Sequence, residues 1–148
     1  MSARYFLDTN IFVYSLDSRV PTKARRAAKL IRDGLETGSG IVSYQVVQEF
    51  FSVAFRRFAA PMSAYAAEEY LNTVFRPLLA VHSSPALFVS ALQVCAQHRL
   101  SWYDSLILAA AQEADCSLIY SEDITRPATP RYENREPVSI NSDAGELF

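Results

Sequence analysis

Four acidic residues of this chain lie where carboxylates are seldom found without a partner. Each stands among large apolar side chains or directly after an apolar run, and the four are Asp8, Glu49, Asp104 and Asp123. Desolvating a carboxylate is costly, and clustered carboxylates repel one another until one of them takes up a proton. Magnesium and manganese are hard cations that prefer carboxylate and water oxygens, and an open site can activate a bound water as a nucleophile. The four acids therefore predict a divalent-metal site.

Short apolar strands alternate with longer helices around these acids. Strands are predicted at residues 4–8, 41–42, 78–82 and 116–120, with a last edge strand at 137–141. Such alternation predicts right-handed crossovers and a parallel sheet covered by helices on both faces. Sites in folds of this kind gather at the carboxyl ends of the strands. Asp8 and Asp123 follow strands and Glu49 and Asp104 lie in early helical turns, so the four can converge on one edge.

The predicted helices between the strands have recognisable first and last residues. Pro21 suits the first turn of a helix and Gly38 suits its end, while Ser43 and Ser101 can cap the helices that follow them. The helices are predicted to extend from about residue 10 to 17, from 21 to 38, from 43 to about 59, from about 63 to 75, from about 84 to 98 and from 101 to about 114.

Each acid also has an ordinary explanation when it is taken singly. Asp104 and Ser101 fit a capping box in which aspartate replaces the usual glutamate, and the helix dipole favours a carboxylate there. Asp8 can cap the helix that follows it, Glu49 can occupy an exposed turn, and Asp123 can belong to a turn. A shared metal site is the explanation that accounts for all four together.

Four segments resemble, in order, the acidic motifs of PIN-domain ribonucleases, and within that family the VapC-type toxins of bacterial toxin–antitoxin pairs. The segments are Phe6-Leu7-Asp8-Thr9-Asn10, Val47-Gln48-Glu49-Phe50, Tyr103-Asp104-Ser105-Leu106-Ile107 and Tyr120-Ser121-Glu122-Asp123. The resemblance covers roughly residues 4–124. It implies an α/β fold with three α/β/α layers and a central, mainly parallel sheet of 4–5 strands. Residues 1–148 then form a single PIN domain, in which 124–148 is a divergent proline-containing tail.

The resemblance also implies a reaction, which is cleavage of RNA phosphodiester bonds by water activated on Mg²⁺ or Mn²⁺. Asp8 and Asp104 would be the principal metal ligands. Glu49 would complete the acidic cluster directly or through metal-bound water, and Asp123 would be the fourth acid. Three further residues match polar positions that support the site by hydrogen bonding in this family, namely Thr9, Asn10 and Ser121.

Partners follow from the same resemblance. The family forms homodimers and is held inactive by a cognate antitoxin whose tail packs into an apolar groove beside the site. Five aromatic residues are candidates for that groove or for the dimer surface: Phe51, Phe55, Phe58, Tyr65 and Tyr70. Simple core packing is the alternative role for them. The net charge of −2 gives no global attraction to RNA, so any binding surface must be local. Three basic patches are available: Lys23, Arg25, Arg26, Lys29 and Arg32; Arg56 and Arg57; and Arg126, Arg131 and Arg135.

Other features narrow the class of protein. Cys95 and Cys116 are the only cysteines and have no metal-site spacing, which favours free thiols in a reducing cytoplasm. No apolar stretch reaches the roughly 18 residues that a membrane span needs, and we expect neither a secretory signal nor a membrane partner.

Two other functions compete with the nuclease as explanations of this sequence. A haloacid-dehalogenase-type phosphatase needs a second aspartate two residues after the first, where this chain has Asn10, and a later lysine, whereas Lys23 and Lys29 are the only lysines. A non-catalytic PIN-like domain that binds RNA or protein stays open as the alternative, although the presence of all four acids favours the enzyme.

Overall fold

A computed structural model describes residues 3–121 and the strand Ser139–Asn141. Five strands form one sheet: β1 (Tyr5–Leu7), β2 (Gly40–Ser43), β3 (Leu79–Val81), β4 (Leu118–Tyr120) and β5 (Ser139–Asn141). The helices are α1 (Thr9–Ser15), α2 (Pro21–Thr37), α3 (Tyr44–Arg56), α4 (Ala64–Tyr70), α5 (Arg76–Leu78), α6 (Pro85–His98) and α7 (Trp102–Glu113). A π-helical turn, Leu71–Phe75, joins α4 to α5.

The sheet has the strand order β3-β2-β1-β4-β5, and every neighbouring pair is parallel. Helices flank it on both sides, so the predicted three-layer α/β/α architecture with a parallel sheet is confirmed. The last edge strand, predicted at 137–141, is present at Ser139–Asn141. No helix within residues 3–121 is both long enough and apolar enough to cross a membrane.

Local sequence signals account for most helix ends. Pro21 is the first residue of α2, and Gly38 ends it in the left-handed conformation with φ 70°. Helix α3 ends at Arg56, a few residues before the predicted end near residue 59, and the Met62 amide then donates to the carbonyl of Ala54 over 3.1 Å. The residue before Pro61 is biased away from helical geometry, so the chain must leave the helix before that point.

The helix predicted at 63–75 is present with a change of geometry that its sequence pattern did not indicate. It passes through the π-helical turn before α5, and the strand predicted from residue 78 begins at Leu79, because Leu78 ends α5. Phe75, the last residue of the π turn, is fully buried. Its ring centroid lies 4.9 Å from that of Phe12 and 5.1 Å from that of Phe50. The buried aromatic cluster between α1 and α3 therefore includes this turn.

Two glycines let α2 approach the sheet closely. A Cβ atom on Gly40 of β2 would lie 2.9 Å from Cα of Gly34 in α2, which is closer than real Cβ contacts. The Tyr5 hydroxyl of β1 donates to the Leu30 carbonyl of the same helix over 3.0 Å. Helix α2 is therefore held against the centre of the sheet, which positions α1 and the end of β1.

Candidate active site

Asp8 lies directly after β1 and is 7% exposed. Its Oδ1 accepts a hydrogen bond from the Thr9 amide over 2.7 Å, which makes Asp8 the N-cap of α1. Its Oδ2 accepts from the Ser121 hydroxyl over 2.6 Å, and Ser121 is fully buried. Leu7 of β1 is paired with Tyr120 of β4, so the strand register places the residues that follow side by side. Asp8 thus has its ordinary capping role and a second polar partner as well.

Glu49 is held by hydrogen bonds to both of its carboxylate oxygens. Oε2 accepts from the Thr9 hydroxyl over 2.8 Å, and Oε1 accepts from Nε2 of Gln45, also over 2.8 Å. The same Gln45 nitrogen lies 3.4 Å from the carbonyl oxygen of Tyr103 in α7. A hydrogen-bonded chain therefore joins α1, α3 and α7 through this carboxylate.

Asp104 is the third residue of α7 and is half-buried. Its amide donates to the Ser101 hydroxyl over 3.2 Å, so Ser101 caps the helix as its sequence position indicated. An acidic residue in the first helical turn interacts favourably with the helix dipole. Ser101 therefore caps α7, whereas the reciprocal capping-box bond from the Ser101 amide to the Asp104 carboxylate does not form within the described residues, and Asp104 lines a cleft instead.

Three of the four predicted acids line one cleft with a volume of about 370 Å³. Asp8, Glu49 and Asp104 reach it from the end of β1, from α3 and from α7, and Thr9 and Asn10 line it too. We call this space the acidic cleft. Asp123 lies outside the described residues, so the structure does not place it.

Two arginines bring positive charge to the same cleft. Arg56 and Arg57, the last residue of α3 and its C-cap, belong to its lining and are exposed. Neither guanidinium has a hydrogen-bond or ion-pair partner within residues 3–121 and 139–141. In the α2 patch, by contrast, Lys29 pairs with Asp33, while Lys23 lies over the ring of Tyr14. The predicted patch of Arg126, Arg131 and Arg135 lies outside the described residues.

The donor atoms of the acidic cleft are of the type that a hard divalent cation prefers. Three carboxylates line it, and hydrogen bonds orient two of them. Within the described part of the chain, no three His, Cys, Asp or Glu side chains are grouped closely enough to form a metal site as they stand. The residues therefore fit a cation by their chemistry, and three of them would have to draw closer to share it.

Gln45 is a polar residue of this cleft that the sequence interpretation missed, as it missed Ser52. Gln45 contacts Glu49 directly and lies one helical turn before it on α3. Side chains four residues apart share a face of a helix, so the spacing from residue 45 to residue 49 was the signal that could have identified it.

The aromatic residues predicted for a groove or dimer surface divide into two sets. Phe51, Phe58 and Tyr70 are partly buried and pack against the core, as the simpler alternative stated. Phe55 and Tyr65 are exposed, at 46% and 75%. Burial also raises the pKa of the Tyr70 phenol to about 12, so this group stays neutral near neutral pH.

The fold and the cleft together define a class: a parallel α/β domain with an acidic cleft at the carboxyl end of its sheet. The family model of the PIN domain matches residues 5–126, and the chain belongs to this family. The resemblance recognised from the four sequence motifs is therefore confirmed. No curated protein sequence matches the chain.

Several solved structures share the fold at low sequence identity. A toxin–antitoxin complex from Klebsiella pneumoniae is 17% identical with a TM-score of 0.57, covering 82% of this chain and 87% of that one. FitAcB from Neisseria gonorrhoeae is 18% identical with a TM-score of 0.54, and the match covers 80% of this chain and 87% of that one. The toxin VapC20 from Mycobacterium tuberculosis, described as cleaving the sarcin–ricin loop, is 18% identical with a TM-score of 0.52, covering 78% and 86%.

Proposed function

We propose that this protein is a Mg²⁺- or Mn²⁺-dependent endoribonuclease and the toxin of a toxin–antitoxin pair. The observation that carries the proposal is the acidic cleft, where Asp8, Glu49 and Asp104 arrive from three separate elements. Helix caps and exposed turns explain each acid alone, but they give no reason for all three to line one cleft. Membership of the PIN domain family supports the same reaction.

Asp8 and Asp104 would be the principal ligands of the ion, with Glu49 as a direct or water-mediated ligand and Asp123 as the fourth acid. A bound ion supplies a water of lowered pKa and polarises the phosphoryl oxygen. The Ser121 hydroxyl and the Thr9 amide hold the Asp8 carboxylate in one orientation. Asn10, which also lines the cleft, is the third supporting residue of the proposal.

The other residues of the cleft have roles that follow from their contacts. Each Glu49 oxygen already accepts one hydrogen bond and keeps a second lone pair, so it can accept another from water. Arg56 and Arg57 can pair with the backbone phosphates of RNA, because guanidinium groups bind phosphate in a bidentate manner. The net charge of −2 makes such a local contribution necessary.

The toxin assignment is supported by the kinds of protein that share the fold. Of the three structures described above, one is a toxin–antitoxin complex and another is a toxin described as cleaving the sarcin–ricin loop. On this proposal the chain binds a cognate antitoxin and acts in the cytoplasm, where RNA is present and its two free cysteines stay reduced.

A homodimer is part of the same proposal. Val89 and Leu92 of α6 are 54% and 58% exposed, and exposed apolar side chains of this kind suit a subunit contact. Sedimentation of the purified chain, and of a variant with Leu92→Lys, tests it. A monomer at every concentration would remove the dimer from the proposal and leave the nuclease assignment untouched.

A fluorogenic single-stranded RNA tests the reaction directly. We expect cleavage with Mg²⁺ or Mn²⁺, none with EDTA, and none with Asp8→Asn, which keeps the size of the side chain and removes its charge. Equal loss of RNA under all three conditions would indicate a contaminating nuclease and would overturn the assignment.

The alternative function is a non-catalytic PIN-like domain that binds RNA or protein. The observation that favours it is the separation of the three acids, which do not form a metal-holding group within the described residues. Thermal melting separates the two functions. An enzyme should be stabilised by millimolar metal, as any ligand of the folded state stabilises it, and Asp104→Asn should reduce that rise. RNA binding without a metal-dependent rise would favour the alternative.

A further inference from the structure

A second, smaller cleft adjoins the acidic cleft. It has a volume of about 150 Å³, and its aromatic lining consists of Tyr44, Phe88, Trp102 and Tyr103. Gln45 and Tyr103 line both spaces, so the two clefts meet at these residues. We call the smaller space the aromatic cleft. A ligand that extends from the acidic cleft past Tyr103 therefore contacts aromatic rings.

The aromatic rings of this cleft remain accessible although they are large and apolar. Phe88 is 42% exposed, Trp102 is 36% exposed and Tyr103 is 64% exposed. The rings of Phe88 and Trp102 have centroids 5.9 Å apart and are tilted by 55°, so they do not stack face to face on each other. Such rings offer free faces on which another flat group can stack.

Polar groups of the aromatic cleft are neutral. Gln48 is exposed, and its amide has no hydrogen-bond partner within residues 3–121 and 139–141. No charged side chain belongs to the lining of this cleft in the described part of the chain. The guanidinium groups of Arg56 and Arg57, which have no partner among the described residues, line the acidic cleft instead. The acidic cleft, on one side of Tyr103, thus favours a phosphate group. The aromatic cleft, on the other side, favours a flat neutral group with hydrogen-bonding edges.

We propose that the aromatic cleft binds one unpaired nucleobase of the RNA, next to the phosphate held in the acidic cleft. The proposal rests on the proposed function, since RNA is the ligand in both. The volume of the aromatic cleft is about 150 Å³, well below the roughly 300 Å³ of a pocket for a whole small molecule, and this size suits a single base. Proteins read single-stranded RNA by stacking bases on aromatic side chains and by hydrogen-bonding their edges, and the amide of Gln48 can do the latter.

Trp102 is the only tryptophan of the chain, so its fluorescence reports directly on this cleft. The probe is a short unstructured RNA oligonucleotide added in EDTA, which prevents cleavage. We expect saturable quenching of Trp102. A matched oligonucleotide with abasic sites keeps the phosphates, and we expect it to bind more weakly and without quenching. Equal quenching by the abasic oligonucleotide, or none by either, would overturn the proposal.

Phe88→Ala tests the cleft independently of tryptophan fluorescence. Removing one base-stacking contact should weaken oligonucleotide binding roughly 5- to 150-fold. In the cleavage assay it should raise KM far more than it lowers kcat and relax the base preference at one position beside the cut, and Phe88→Tyr should restore both. Phe55→Ala is the matched control, because Phe55 is 46% exposed and does not line the cleft. An equal effect of the two alanine variants would refute the proposal.

The outcomes separate this proposal from the proposed function. Metal-dependent cleavage without quenching of Trp102 would leave the nuclease standing and overturn the base subsite. Base-dependent quenching without any cleavage would support the subsite on a domain that binds RNA but does not cut it. Trp102 emission that shifts with protein concentration and ignores RNA would show that a second copy covers the cleft, which also overturns the subsite.

Discussion

Ser121→Ala is the most informative single change, because it removes one atom from the partner of a buried carboxylate. The Ser121 hydroxyl donates to Asp8 over 2.6 Å, and both residues are buried. A hydrogen bond to a charged group contributes ~1.5–3 kcal/mol to stability. For a domain of this length, each kcal/mol lowers the melting temperature by ~2–4 °C. We therefore expect Ser121→Ala to melt ~3–12 °C below the wild type.

Ser105→Ala is the matched control for this change. Ser105 is also fully buried, but its hydroxyl donates to a neutral acceptor, the Ser101 carbonyl, over 2.8 Å. A neutral hydrogen bond contributes only ~0.5–1.5 kcal/mol. Alanine is also the better helix former at this position inside α7, which offsets part of the loss. After allowance for this helix propensity, the difference between the two variants gives the contribution of the Asp8 charge.

The same variant bears on the metal site. Removing a residue that orients a metal ligand typically lowers metal affinity or activity ~10–100-fold. We expect a loss of this size in the affinity of Ser121→Ala for Mn²⁺, measured by calorimetry, and expect Ser121→Thr to retain the wild-type affinity because it keeps the hydroxyl. If Ser121→Ala melts no lower than Ser105→Ala and binds Mn²⁺ as tightly as the wild type, Ser121 does not support Asp8 as argued.

Three further predictions concern other contacts. Gln45→Leu removes one of the two hydrogen bonds that orient Glu49, and we expect a ~10–100-fold loss of kcat at little change in KM for RNA; an equal change in both parameters would contradict a positioning role. Gly40→Ala forces a Cβ against Gly34, and overpacking of this kind should cost ~1–3 kcal/mol, read from the urea midpoint; an unchanged midpoint would show that α2 moves away freely. Burial raises the pKa of the Cys116 thiol to about 12, so a thiol reagent near neutral pH should modify Cys116 only after unfolding; rapid labelling of the folded chain would contradict its burial.

The same Cys116 shift also gives stability a pH dependence. Its pKa rises from 9.0 to about 12 on folding, so the folded state favours the neutral thiol. This contribution is complete below the unfolded pKa and is lost as the pH rises from about 9 towards about 12. Melting temperatures of the wild type and of Cys116→Ala, measured across this alkaline range, test the contribution. We expect the variant to lose less stability than the wild type as the pH rises.

The sequence by itself determined the order of the elements and the acids that stand at their ends. Pro21 and Gly38 bound α2, Ser101 caps α7, and short apolar runs alternating with helices required a parallel sheet. These features depend on neighbouring residues, which is why they could be predicted. Asp8 and Asp104 were recognisable for the same reason, since each follows or opens a local element.

The tertiary structure alone decided which side chains meet. The hydroxyl of Ser121 reaches Asp8 because β1 and β4 are neighbours in register, although 113 residues separate them in sequence. Gln45, which shares a helix face with Glu49, reaches the Tyr103 carbonyl of α7, and the aromatic cleft forms where α3, α6 and α7 approach one another. The π-helical turn before Phe75 is likewise part of the packed aromatic cluster. Contacts between distant segments depend on how whole elements pack, and no local spacing in the sequence encodes them.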